Sequence, residues 1–147
     1  MTVTEVYLDT SALIKLYVPE AFSTEVENFV AQADALVISR LSVLEWHCAM
    51  SRRLRTGMIT EDYLNTARTE FTRHLADDYF RIVPFDDSVM IDALQVLDSV
   101  KPVPLRTLDA LHLTAVRHAN VTRLATADHV MADAASKLNL ETDSFFV

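Results

Sequence analysis

At 147 residues, half of them apolar and 23% charged, the chain is long enough to bury a substantial core and too hydrophobic to stay disordered. A net charge of −8 excludes the broad basic surface that holds nucleic acid through phosphates alone, so a nucleic-acid ligand would need a local cation or a local basic path. A single cysteine, Cys48, excludes an internal disulfide and suits a reducing cytoplasm, and no apolar run approaches the ~18 residues of a membrane helix.

The opening residues Met1, Thr2, Val3, Thr4 and Glu5 lack a basic segment followed by an apolar one, so no signal peptide is expected. The first strand is read over 3–8, β-branched and aromatic, and it ends at Asp9. Thr10 and Ser11 open a short helix over 12–17, which stops before Pro19 because the residue preceding a proline avoids the α region. A helix over 23–33 carries Val26, Phe29 and Val30 on one face. A strand over 36–39 follows, then a helix over about 41–55 with Leu44, Glu45, Trp46, Cys48 and Met50, where Cys48 is expected as a small core residue.

Gly57, the only glycine, suits a left-handed turn after that helix. Thr60, followed by Glu61 and Asp62, caps a helix to about 76, and the two helices form a hairpin. A strand over 79–83 precedes a helix over 89–97, capped by Asp86 or Asp87. The next helix carries Asp109 near its start and ends near His118, with Leu108, Leu111, Ala115 and Val116 at helical spacing. A strand over 122–126 leads to Asp128, which heads a helix over 131–138; Asn139 takes the left-handed position beyond it, and a last strand is read over 144–147. Short strands alternating with helices predict an α/β fold with a parallel sheet, in one domain over 1–147.

Four acids share one position in this pattern. Asp9, Glu45, Asp109 and Asp128 each follow a strand-like run and sit just before or inside the first turns of a helix. Singly, each has a structural reading: Asp9 and Asp128 as N-caps, Asp109 as a partner of the helix dipole, and Glu45 as the return arm of a capping box with Ser42. Together they fall on one rim, because an open parallel sheet binds its ligands outside the carboxyl ends of its strands. Two unit charges ~4 Å apart at an effective dielectric of about 20 repel by about 4 kcal/mol, so such a rim either raises its pKa values or recruits a cation. All-oxygen donors suit Mg²⁺ or Mn²⁺, and no Cys/His set has zinc spacing. His112, three residues after Asp109, could face the same rim, but a lone helical histidine is more often a satisfied structural group.

The stretches 7–17 around Asp9, Thr10 and Ser11, 42–45 ending in Glu45, 105–112 around Asp109, and 124–128 ending in Asp128 resemble the four acidic motifs of PIN domains, and the tail 134–140 resembles their ending. Order and spacing agree over essentially the whole chain, and the subgroup it resembles is the VapC toxin of bacterial type II toxin–antitoxin systems. The resemblance implies a three-layer α/β/α fold with a mostly parallel, about five-stranded sheet, and a Mg²⁺-dependent endoribonuclease for which Mn²⁺ can substitute. It further implies that Asp9 and Asp109 are the principal metal ligands, that Glu45 and Asp128 complete the acidic pocket, and that Thr10, Ser11 and Thr126 orient the carboxylates. A homodimer and a cognate VapB-like antitoxin are implied as well, with the hairpin of Trp46, Met50 and Met58 as its expected docking place.

A local basic path for RNA is expected from Arg40, Arg52, Arg53, Arg55 and Arg106, despite the acidic total. Two other readings compete: a catalytically silent PIN-like binding module, which would commonly have lost one of the acids, and a Mg²⁺-dependent phosphatase, against which stands the absence of a paired Asp-x-Asp after the first strand.

Overall fold

A computed structural model describes residues 4–147. Five strands form one parallel sheet in the order β3-β2-β1-β4-β5: β1 (Glu5–Leu8), β2 (Ala35–Ser39), β3 (Phe80–Val83), β4 (Arg123–Thr126) and β5 (Glu141–Ser144). Residue 3, where the expected first strand began, lies outside the described residues.

The inner strands are apolar on both faces, as a sheet covered on both sides requires. Val6, Leu8, Leu36 and Ile38 join one core cluster with Trp46, Met50, Leu64 and Phe71; Tyr7, Val37 and Leu124 join the other with Val96, Leu113 and Met131. The first face is covered by α1 (Thr10–Leu13), α2 (Ser23–Ala31), α3 (Arg40–Arg55) and α4 (Glu61–Ala76). The second is covered by α5 (Asp87–Ser99), α6 (Thr107–His118) and α7 (His129–Lys137). The three-layer α/β/α arrangement expected from the sequence is the one observed.

This strand order fixes where a ligand can bind. The chain winds outward from β1 through β2 to β3, then crosses back to lay β4 on the other side of β1. The crossovers on either side of the β1–β4 junction therefore diverge and leave a crevice at its carboxyl end. Asp9 follows β1 and Asp128 closes the turn after β4, so both stand at that crevice.

Local structure departs from expectation in four places, each for a physical reason. The helix after Asp9 is one α turn, Thr10–Leu13, continued by a 3₁₀ turn over Ile14–Leu16. The N-cap of α3 is Ser39, not Ser42: Ser39 Oγ accepts the Ser42 N–H at 3.2 Å, and Ser42 Oγ accepts the Ser39 N–H at 3.2 Å. Glu45 is thereby released from capping. Cys48 is exposed, because Trp46 and Met50, one turn apart, define the buried stripe of α3 and Cys48 is rotated ~200° from Trp46. The last strand is Glu141–Ser144 and not 144–147: an edge strand faces solvent, and its polar residues are held by Arg123, which reaches both Glu141 and Asp143. Phe145 follows as a core side chain against Phe29.

Elsewhere expectation and structure agree. Thr60, Asp86 and Asp128 cap their helices, and Gly57 and Asn139 adopt left-handed φ values of 77° and 59°. The α3–α4 pair is tied by Trp46 stacked on Phe71, with ring centroids 4.4 Å apart.

Because both hydroxyls of the α3 cap are buried, Ser39→Ala is expected to lower stability by about 1 kcal/mol. The measurement is a denaturant midpoint that falls at unchanged slope. A cap at Ser42 would instead make the substitution silent.

Candidate active site

Asp9 has two tasks. Its extended backbone caps α1, with Oδ1 accepting the Ala12 N–H at 3.0 Å, and its carboxylate is buried at the β1–β4 junction. Ser11 donates its hydroxyl to Oδ1 at 2.6 Å, and Thr126 donates to Oδ2 at 2.5 Å. The same two hydroxyls accept backbone protons from the turn after β4: Ser11 Oγ from Ala127 at 2.8 Å, Thr126 Oγ1 from Asp128 at 3.1 Å. Thr126 and Ser11 therefore stitch the ends of β1 and β4 together through the acid. Burial nonetheless raises the Asp9 pKa, and the hydrogen bonds oppose that only in part.

Freed from the helix cap, Glu45 turns inward. Its Oε1 accepts the Thr10 hydroxyl at 2.7 Å and lies 2.5 Å from His112 Nε2. On the far side of the ring, His112 Nδ1 lies 2.7 Å from the Tyr7 hydroxyl. Burial raises the cost of a charge on Glu45, yet the histidine and Thr10 outweigh it and hold its pKa low. For His112, burial works against protonation, while the Tyr7 oxygen and the Glu45 carboxylate favour it and push its pKa up to about 10.

Asp109 stands in the first turn of α6 and makes no side-chain hydrogen bond among the described residues. Its pKa is raised by burial first and then by the charge of Asp128, with Asp9 and Glu45 adding to the repulsion. Asp128 caps α7 with one oxygen, Oδ1, which accepts from Val130 at 2.8 Å and Met131 at 3.2 Å. Glu45, Asp109 and Asp128 line a cleft of about 800 Å³ together with Arg106, Leu108, Pro104 and Val130; Asp9 is buried beyond that lining.

The basic residues named from sequence divide. Arg106 is exposed in the cleft wall, and Arg40 is exposed at the first position of α3, at the carboxyl end of β2. Arg52 lies seven residues past Glu45, about two turns and ~10 Å along the same face of α3, and Arg55 follows in its last turn. Arg53 is engaged elsewhere: it pairs with Glu20 at 3.1 Å beside Lys15.

The donors suit a hard divalent cation in kind, being carboxylate oxygens supported by hydroxyls. Among the described residues no Lys or Arg forms an ion pair with any of the four acids; His112, paired with Glu45, is the cationic neighbour that also favours ionised Asp9 and Asp109. Three of the acids line the cleft and Asp9 lies behind it, and among the described residues no three His, Cys, Asp or Glu side chains are close enough to enclose a metal ion. His112 is the residue whose place in the site the sequence understated. The signal that points to it is its spacing, one helical turn from Asp109 on the buried face of α6.

A family model described as PIN domain matches residues 6–137. Ribonuclease VapC46 of Mycobacterium tuberculosis (strain ATCC 25618 / H37Rv) is 32% identical over 137 residues, covering 92% of this chain and 93% of its own. Ribonuclease VapC47 of Mycobacterium tuberculosis (strain CDC 1551 / Oshkosh) is 28% identical over 145 residues, covering 95% and 96%. Among solved structures, Mycobacterium tuberculosis VapC20, a sarcin–ricin loop cleaving toxin, superposes with a TM-score of 0.67 at 14% identity, over 88% of this chain and 94% of that one. VapBC2 from Rickettsia felis, bound to a promoter DNA fragment, gives 0.64 at 13% identity, over 96% and 98%. At such identities the structural likeness carries the fold alone.

A carboxyl whose pKa rises on folding holds its proton more tightly in the folded state. Its stabilising contribution is present below the ordinary carboxylate pKa and is lost as pH climbs through the raised value, so ionised Asp109 is a net cost at neutral pH. Asp109→Asn is therefore expected to melt higher than wild type at neutral pH without divalent cations. The gap should close as pH falls to about 4. Equal melting temperatures across that range would refute a cost for ionised Asp109 from burial and neighbouring charge.

Proposed function

This chain belongs to the PIN-domain family, and from that premise we propose that it is a metal-dependent endoribonuclease, the toxin of a VapBC-type toxin–antitoxin pair. It would cut RNA phosphodiester bonds with Mg²⁺, or Mn²⁺ in its place. The observation that carries the reading is the placement of three acids, Glu45, Asp109 and Asp128, in the lining of a cleft where the winding of the sheet reverses, with Asp9 buried behind them and none of the four paired with a Lys or Arg among the described residues.

Asp9 and Asp109 would be the principal ligands, with Glu45 and Asp128 completing the set. When bound, the divalent cation would supply a lowered pKa to a water molecule and offset charge on the phosphate. The chain's own residues do the rest. Ser11 and Thr126 hold Asp9 rigid from both sides, so its carboxylate needs no reorganisation when charge arrives. Asp109, with no side-chain hydrogen bond among the described residues, is the acid free to adjust. Asp128 keeps Oδ2 available while Oδ1 is spent on the helix cap. Arg106 stands in the cleft wall where it can hold a backbone phosphate by a paired hydrogen bond.

The proposal extends to a cognate VapB-like antitoxin and a homodimer. In support, apolar side chains remain exposed on the helices: Met90, Ile91 and Leu94 on α5, and Met58 just past α3. Trp46 and Met50 of the same hairpin are core residues and contribute no such surface. No helix among the described residues is long and apolar enough to cross a membrane. The exposed thiol of Cys48 fits the reducing cytoplasm in which an RNA substrate would be met.

Wild-type protein incubated with RNA is expected to cut it in Mg²⁺ or Mn²⁺ and not in chelator. Asp9→Asn and Asp109→Asn should each lower the rate by about 10²–10⁴-fold while remaining folded, the several kcal/mol of charge stabilisation a metal supplies. Intact RNA with either metal, or release of phosphate from a small phosphoester in its place, would overturn the reading.

Arg106→Glu should weaken RNA binding measurably, with the fold unchanged. Arg53→Glu should instead lower the melting temperature through its broken pair with Glu20, leaving RNA affinity per folded molecule as it was. The reverse pattern in a filter-binding series would move the RNA path away from the cleft wall.

A further inference from the structure

On the buried face of α6, among Leu111, Leu113, Ala115 and Val116, one side chain is polar and ionisable: His112, 3% exposed. Its ring spans the space between β1 and α3. Nδ1 meets the hydroxyl of Tyr7, itself wholly buried in the sheet, and Nε2 meets Oε1 of Glu45. Thr10 converges on the same carboxylate oxygen from the start of α1, and its hydroxyl lies 3.4 Å from His112 Nε2. Oε1 is thus fixed by two donors that belong to two different elements, while Glu45 still lines the cleft.

Asp109 and His112 lie three residues apart on α6, so one helix presents an acid to the cleft directly and governs a second acid through its histidine. A carboxylate oxygen can only accept, so Nε2 carries the proton in this contact, in the imidazolium and in the neutral Nε2–H tautomer alike, and the contact does not require a charged ring. Tyr7 fixes the plane of the ring from behind, the role an outer partner plays for any imidazole that must point one way.

We propose that His112, oriented by Tyr7, is a positioning residue that holds the Glu45 carboxylate with one oxygen tied back and the other presented to the cleft. The proposal rests on the nuclease reading only for its catalytic consequence. The positioning itself is a property of the free protein, and its tests are arranged accordingly.

The first test is a double-mutant cycle between His112→Leu and Glu45→Gln, read by titration calorimetry with Mn²⁺ and by single-turnover RNA cleavage. His112→Leu is expected to weaken Mn²⁺ binding by about 10–100-fold in the wild-type background and to add almost nothing in the Glu45→Gln background. His112→Gln, whose amide can still donate toward Glu45, should recover most of the loss. A purely structural histidine would give additive losses and no recovery by glutamine, and either result overturns the proposal. If His112→Leu does not fold, Tyr7→Phe removes a single oxygen and should move Mn²⁺ affinity in the same direction by less; an unchanged affinity there also overturns it.

The second test needs neither metal nor RNA. In ¹⁵N-labelled protein, the His112 ring N–H should appear as a downfield, exchange-protected resonance that disappears in Glu45→Gln and shifts in Tyr7→Phe. Its absence in wild type would refute the contact. Its presence in a protein that cuts no RNA would retire the nuclease reading and leave the positioning role standing.

Discussion

A carboxylate buried without a cation governs this structure. Asp9 sits at the junction of the two central strands, where burial disfavours its ionised form, and no lysine or arginine among the described residues pairs with it. The fold answers with dipoles: two hydroxyls and one backbone N–H point at its oxygens, and those hydroxyls are themselves polarised by the N–H groups of Ala127 and Asp128. Such a network is rigid because each hydroxyl is committed twice, donating to the acid and accepting from the backbone. Loss of one hydroxyl would loosen the β1–β4 junction as well as the acid, so the mechanical seam of the sheet and the support of the acid buried behind the cleft are the same set of atoms.

Charge is distributed unevenly among the four acids. Glu45 is neutralised by a histidine and held below the usual carboxylate range, whereas Asp9 and Asp109 are pushed above it. One fold therefore prepares its acids differently, two disfavoured in their ionised form and one already settled by a neighbour. Stability surrendered at Asp9 and Asp109 is recovered in the two cores that flank the sheet, where tyrosine, tryptophan and leucine are wholly buried.

The architecture is legible in the sequence because the strands are short, apolar on both sides and separated by helices with recognisable caps. The residue pattern alone puts Asp9 and Asp128 at strand ends, and a parallel sheet carries such ends to one edge. What the pattern leaves open are choices that depend on partners distant in sequence. Ser42-x-x-Glu45 matches the usual capping box, yet Ser39 and Ser42 cap α3 between them, while His112 and Thr10 engage Glu45 from other elements. The edge strand departs from its expected place for a related reason. Phe145 and Phe146 have the stronger strand preference, but solvent on one side and Arg123 on the other favour the polar residues before them. For Cys48, residue type points to the core, and its phase relative to Trp46 overrides that preference.

The scarcity of basic residues at the cleft sets the style of recognition open to this protein. Among the described residues only Arg106 stands in the cleft wall, and Arg53, two turns along α3 from Glu45, is bound to Glu20. A single-stranded ligand gripped through one or two phosphates releases few counterions, so its affinity would fall with monovalent salt at a logarithmic slope of only about −1. On the proposed nuclease reading, so light a grip would not let the protein slide along a polyanion held by the backbone. It would instead select short, locally exposed segments by how they fit a cleft of about 800 Å³. Discrimination among nucleic acids would then come from shape and accessibility, and crowding by abundant folded polyanions would do little to titrate the protein away.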